Sequence, residues 1–385
     1  MNPATTIGHP ALAKSRRIAA IDWMRGFVMI MMVIDHVSMA YDGNHMSADS
    51  AALYNPATPL TAFAFFTRWL SHICAPTFVF LAGTALALSV ERKVARGVPS
   101  LEIDKDIFYR GAFIALLDPT IISLFSGRWT IQVLYAIGVS FMCMVLLRRL
   151  STLWLLGLAG AWLLGGEWVT SLVWPPEEAA HPRLAALLIS TYSSPDLAIK
   201  YPLLPWLSVM MLGWAFGRYT LAYGEGKSRT SPLAVMLGCG TIGIAVFLVV
   251  RYLNGYGNMW LWLYHSETPW VQWLHVSKYP PSLSYFALEL GLMFWFMAFF
   301  FVLERRFGVR QNGVLLVFGQ TAMFFYLVHR LFLEGTATYL GLRGFGDITL
   351  CYVIDAVMLA CLYPLCRWYR SYKKGHPGAL WARYI

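Results

Sequence analysis

Long apolar runs separated by short polar segments dominate the 385-residue chain. A membrane-crossing helix needs roughly 20 mainly apolar residues, and the runs predict about ten spans. These cover residues 18–41, 61–90, 107–125, 131–147, 153–172, 202–221, 232–250, 284–303, 314–333 and 349–368. The pattern predicts an all-α, polytopic integral membrane helical bundle. A polar, basic tail (1–17) precedes a transmembrane domain (18–370), and a second basic tail (371–385) follows. The first span is expected to start insertion itself, with no signal peptide before it.

Composition agrees with the pattern. Hydrophobic residues make up 58% of the chain and charged residues 13%, against roughly 45–50% and 25% in soluble domains. So few charges cannot cover a soluble surface, which excludes a soluble globular enzyme. The net charge of +10 raises the question of nucleic acid, and the placement of the charges answers it. With a cytoplasmic N-terminus, 21 of the 30 Lys and Arg fall in inner segments and 7 in outer ones. That is the positive-inside bias. It puts both termini in the cytoplasm, makes the long loops 41–60, 173–201 and 251–283 face outward, and leaves no basic stripe for nucleic acid. The six cysteines lie in or at spans with no metal spacing, so neither a metal site nor a disulfide is expected.

Ionisable residues inside spans cost roughly 2.5–3.5 kcal/mol each, so the few present carry information. The first span holds Asp22 and Arg25 at i,i+3, where they can pair, and then Asp35 and His36. Gly26 allows close helix approach. The second span holds Arg68 and His72 on one face, with Pro76 four residues on. His36 and His72 sit on consecutive antiparallel spans and can face each other across a cavity. Asp118, His329 and Arg330 lie near outer ends, and Glu289 and Asp355 within later spans. Titratable groups gathered in the outer third suit proton-transfer chemistry and equally a proton-coupled transporter or flippase.

The stretch Arg17-Ile-Ala-Ala-Ile-Asp22-Trp-Met-Arg25-Gly26-Phe, running on to Asp35-His36, resembles the first span of the heparan-α-glucosaminide N-acetyltransferase catalytic-domain family, especially its bacterial members. So do Thr67 to Gly83 with Arg68, His72 and Pro76, Tyr201-Pro202 to Arg218, Lys278-Tyr279-Pro280-Pro281, and Phe318-Gly319 to His329. The resemblance implies a membrane acyltransferase that uses acetyl-CoA. Its acceptor would be an amino sugar or a glycan hydroxyl on the outer side. In the wider glycan O-acyltransferases a histidine follows the Arg-Gly arginine by eleven residues, and His36 stands there. The lysosomal member has asparagine at that position and places its histidine in the first outer loop, where this chain has His45.

On this reading His36 or His72 is the general base, since an imidazole near its ordinary pKa of about 6.5 suits that role. An acyl-histidine step is the alternative. Asp35 or Asp118 would orient the ring, and Arg68 would stabilise the oxyanion. Arg25, Arg92, Lys93 and Arg96 offer charge for the CoA phosphates. Arg68, Asp118, His329 and His45 are candidate acceptor contacts, and the aromatic loop 256–264 is either a sugar platform or an interfacial belt. The expected location is a bacterial inner membrane, with the lipid bilayer as surroundings and a homodimer allowed.

Overall fold

The apolar runs fold as helices because only a helix satisfies its own backbone groups in lipid. The computed structural model describes residues 18–45, 61–173, 183–263, 269–376 and 378–379. The N-terminal tail, most of the first outer loop, parts of the other two long loops, Tyr264 and the C-terminal end lie outside the described residues. The helices are α1 (Ala19–Tyr41), α2 (Ala62–Leu70), α3 (Cys74–Ala95), α4 (Ser100–Leu117), α5 (Val133–Leu147), α6 (Thr152–Val173) and α7 (Arg183–Leu188). They continue as α8 (Leu203–Gly224), α9 (Pro232–Leu253), α10 (Pro269–Leu274), α11 (Leu283–Phe307), α12 (Val314–Gln320), α13 (Ala322–Tyr339) and α14 (Ile348–Gly375).

Among the described residues six helices are long and apolar enough to cross a membrane, or seven if the bent pair α12–α13 counts as one. The expected third, fourth and sixth spans are helices (α4, α5 and α8) but fall short of that mark. The reasons are local. The first half of α4 carries Glu102, Asp104, Lys105 and Asp106. The 15 residues of α5 reach only about 22 Å at 1.5 Å each, against a hydrocarbon thickness of roughly 30 Å. In α8, Arg218, Tyr219 and Thr220 cut the apolar run short.

Burial sorts the helices into two shells. The most apolar stretches of α1 and α2–α3 are 61% and 72% buried, while those of α6, α9 and α14 are only 17–22% buried. The outer three therefore turn apolar side chains such as Leu153, Ile242 and Val357 outward, as a lipid-facing rim does. The inner helices approach closely through glycine. A Cβ on Gly26 of α1 would sit 2.0 Å from the Leu315 carbonyl oxygen of α12, and one on Gly319 of α12 1.8 Å from that of Asp22. Gly83 of α3 and Gly213 of α8 make the same reciprocal contact. Backbone-to-backbone packing of this kind is open only to the smallest residues.

Two irregularities shape one end of the bundle. After α4 the chain runs through a π turn (Asp118–Ile122, with Pro119) and a 3-10 turn into a short strand. That strand, β1 (Trp129–Ile131), pairs in parallel with β3 (Leu197–Ile199), which pairs antiparallel with β2 (Tyr192–Ser193). The small sheet is a local addition to an all-α fold, since strands of two or three residues leave too little pattern to read. It sets Arg128 and Lys200 at its ends, where both line the cavity described next.

Candidate active site

The second span is broken at Ser71–Ile73, where the Ser71 hydroxyl donates to the Arg68 carbonyl at 2.8 Å. Pro76 therefore falls in the first turn of α3, a position that needs no N–H donor. The ninth span is broken too, and α12 and α13 meet at 88°. Arg25 holds this break. Its Nη1 donates to the Gly319 carbonyl, in the last turn of α12, at 3.1 Å and lies 3.4 Å from Asp22 Oδ1. A cation is well placed against the exposed carbonyls of a helix C-terminus. The Asp22–Arg25 pair thus ties α1 to the end of α12, where the chain bends into α13 and toward His329.

The bend brings His329 of α13 onto His36 of α1. His36 Nδ1 lies 2.8 Å from His329 Nε2, and the rings are nearly parallel, 11° apart. Behind them, His329 Nδ1 donates to the Phe325 carbonyl at 2.9 Å. His36 lines a cavity of about 290 Å³, whereas His329 sits behind it and off the wall. Nε2 of His36 has no protein hydrogen-bond partner among the described residues.

The cavity wall is strongly basic. Arg68, Arg128, Lys200, Lys278, Arg330 and Arg343 line it, against two carboxylates, Asp35 and Glu334. Arg68 Nη1 pairs with Asp35 in a buried contact between α2 and α1. Glu334 takes Arg330 at 3.1 Å and Arg343 at 2.8 Å. Lys200 and Lys278 make no ion pair among the described residues, and their ammonium groups lie 5.6 and 5.5 Å from the ring centre of Tyr279. Cation–π contact softens the burial of an ammonium but does not neutralise it. Such a wall suits phosphate, sulfate or carboxylate groups.

Each candidate from the sequence now has a place. His36, Asp35, Arg68 and His45 lie on the cavity wall, and His45 Nδ1 is 2.9 Å from the Ser38 hydroxyl. His72 is 1% exposed, lies off the wall, and accepts the Tyr285 hydroxyl at its carbonyl, 3.0 Å away. His36 and His72 therefore do not face each other across the cavity, and the histidine that His36 meets is His329, behind the wall. Asp118 also lies off the wall, where Oδ2 accepts the backbone N–H of Gln132 and Tyr135 at 2.8 Å each. It caps the start of α5 and orients no histidine. Asp35 is taken up by Arg68. Glu289, Asp355 and Arg25 do not line the cavity, nor do Arg92, Lys93 and Arg96. Those last three lie at the far end of α3, where Lys93 pairs with Asp106 at 2.5 Å. The described part of the aromatic loop faces elsewhere, with Tyr256 donating to the Leu164 carbonyl.

Arg128, Lys200, Lys278, Arg343 and Glu334 were missed as site residues by sequence reasoning. Lys278 lies in the stretch Lys278-Tyr279-Pro280-Pro281, and Lys200 immediately precedes Tyr201-Pro202. These converge on the cavity, with the Tyr201 and Tyr279 hydroxyls 3.4 Å apart.

The family model described as heparan-alpha-glucosaminide N-acetyltransferase, catalytic, matches residues 17–251. The chain belongs to this family. The matched segment runs from the start of α1 into α9, and so contains His36, Asp35, Arg68, Arg128 and Lys200. Lys278, His329, Arg330 and Glu334 lie beyond it. No curated protein matches the chain. Membership in this heparan-alpha-glucosaminide N-acetyltransferase family makes the protein an acetyltransferase-type enzyme, and its apolar helices make it a multi-pass membrane protein. Among the described residues no cluster of His, Cys, Asp or Glu has metal-site geometry.

Proposed function

We propose that this protein moves an acetyl group from acetyl-CoA to an amine or hydroxyl of an amino sugar or glycan, with His36 as the general base. The observation that carries the reading is the His36 ring itself. It stands on the wall of the cavity with one nitrogen held and the other without a protein partner among the described residues. In the transfer, His36 Nε2 takes the acceptor proton as the acceptor attacks the thioester carbonyl. The new C–N or C–O bond replaces the C–S bond, and the imidazolium returns its proton to the leaving thiolate. Arg68 or Arg330 is placed to face the developing oxyanion.

Phosphate groups are best matched where cations outnumber acids, and Lys200 and Lys278 supply that excess inside the cavity. Arg92, Lys93 and Arg96 stand about 21–27 Å along α3 from Phe78, the last residue of that helix on the cavity wall, at 1.5 Å per residue, and are given no part in the transfer step. The distribution of Lys and Arg along the chain supports a cavity that opens to the outer side of a bacterial cytoplasmic membrane.

The test uses purified protein in nanodiscs with acetyl-CoA and glucosamine, following free thiol. His36→Ala is expected to lose about 100-fold or more of the rate, the usual scale for a general base. His72→Ala, off the cavity, is expected to keep most of it. Wild-type turnover in folded His36→Ala would overturn the reading.

A further inference from the structure

We propose that His329 is a positioning residue that fixes the tautomer of His36, so that His36 presents a bare lone pair to the cavity before any substrate arrives. The inference rests on the reading of His36 as the base and adds what makes that base ready.

A chain of hydrogen bonds runs outward from the Phe325 carbonyl. A carbonyl oxygen can only accept, so the 2.9 Å contact requires a proton on His329 Nδ1. A neutral imidazole carries one N–H, which makes His329 Nε2 an acceptor. Its partner at 2.8 Å is His36 Nδ1, which must then donate. With its one N–H committed, neutral His36 leaves Nε2 unprotonated. No alternative arrangement of neutral rings satisfies both contacts. If the His36 proton sat on Nε2, two lone pairs would face each other across 2.8 Å.

The same chain serves the charged state. When His36 Nε2 takes the acceptor's proton, the Nδ1–H stays on His329, and its hydrogen bond becomes charge-assisted and stronger. His329 needs no proton exchange of its own and returns unchanged when the proton passes to the thiolate. It does for His36 what a carboxylate does in a Ser-His-Asp triad, but as a neutral acceptor. That suits a wall already holding the Arg68–Asp35 pair and two lysines. Asp35 cannot take the role, since it neighbours His36 in sequence, points about 100° away on the helix, and is bound by Arg68.

Two measurements test this. The first needs no turnover: side-chain ¹⁵N spectra of histidine-labelled protein in nanodiscs, with the His36 signal assigned by its loss in His36→Ala. The expected result is a neutral His36 protonated at Nδ1, and replacing His329 by leucine should abolish that preference. A neutral His36 protonated at Nε2 in the wild type would overturn the proposal. The second is a rescue series. His329→Leu removes the acceptor and is expected to lower kcat about 100-fold with KM within about threefold. His329→Gln restores a carbonyl oxygen near Nε2 and is expected to recover at least tenfold of that loss. Equal kcat in the two folded variants would overturn the positioning role, even if His36 proved essential. Should His36→Ala retain activity, the base assignment fails while the tautomer measurement still reports on the relay.

Discussion

Replacing Gly319 by alanine tests whether the α1–α12 contact sets the reactive geometry. The added Cβ would lie 1.8 Å from the Asp22 carbonyl oxygen and 2.7 Å from its carbon. Both are backbone atoms, so no side chain can swing aside. To reach an ordinary 3.4 Å contact the helices must part by about 1.6 Å at that point. Arg25 spans the same junction, so the strain passes to its bond with the Gly319 carbonyl and to the bend that leads into α13. His329 lies ten residues further on, and its bond to His36 starts at 2.8 Å. A displacement of even half that amount would carry it beyond about 3.5 Å, where it no longer counts as a hydrogen bond. Overpacking of this kind costs about 1–3 kcal/mol. Thermal unfolding in detergent and thiol release should be measured together on Gly319→Ala, with Gly157→Ala as a control, because a Cβ there meets nothing within 4 Å. The expected result is a Gly319→Ala protein that still folds, unfolds several degrees lower and loses most of its kcat. Gly157→Ala should match the wild type. Wild-type rate and stability in Gly319→Ala would refute the idea that this junction positions His329.

Two further predictions concern the surrounding structure. Arg251 is fully buried and donates to the Trp273, Leu261 and Gln272 carbonyls and to Asn258 Oδ1 at 2.5–3.1 Å. Arg251→Met strands these acceptors and is expected to cost about 3 kcal/mol or more, read as a lowered unfolding midpoint. Asp104 is held by Arg148 at 2.8 Å and Arg149 at 2.5 Å. Burial would raise its pKa, but these hydrogen bonds outweigh it and hold the carboxyl below its ordinary range. A carboxyl depressed in the folded state stabilises above its unfolded pKa of about 3.9 and loses that contribution as pH falls through the folded value. The unfolding temperature should therefore drop more steeply below about pH 4 in the wild type than in Asp104→Asn, and parallel curves would remove Asp104 from the account.

The sequence exposed the membrane class and the candidate histidine His36 more readily than the residues packed around it. Apolar runs are a one-dimensional signal, so most spans could be placed by counting. His36 stood out because charge and polarity are scarce in its span. Its partner could not be read, because His36 and His329 are 293 residues apart and meet only through the 88° break at Thr321. The polar interruption Gly319-Gln320-Thr321 stands at that break, but three residues inside a long apolar run do not give the angle of a bend or name the residue it delivers. Asp118 looked like chemistry because a carboxylate inside a span is costly, but the same cost is met by capping the two N–H groups at the start of α5. Arg25 likewise looked available for phosphate until the carbonyl end of α12 was seen to occupy it. Lys200 and Lys278 sat in loops, where lysine is ordinary, and only the folded chain puts both beside Tyr279.

The most direct test of the central claim follows the acetyl group itself. Wild-type protein in nanodiscs, given acetyl-CoA labelled in the acetyl carbon and glucosamine as acceptor, should yield labelled N- or O-acetyl sugar, and His36→Ala should not. Labelled product at equal rates from both proteins, or thiol release from the wild type with no label on the sugar, would contradict acetyl transfer at this cavity.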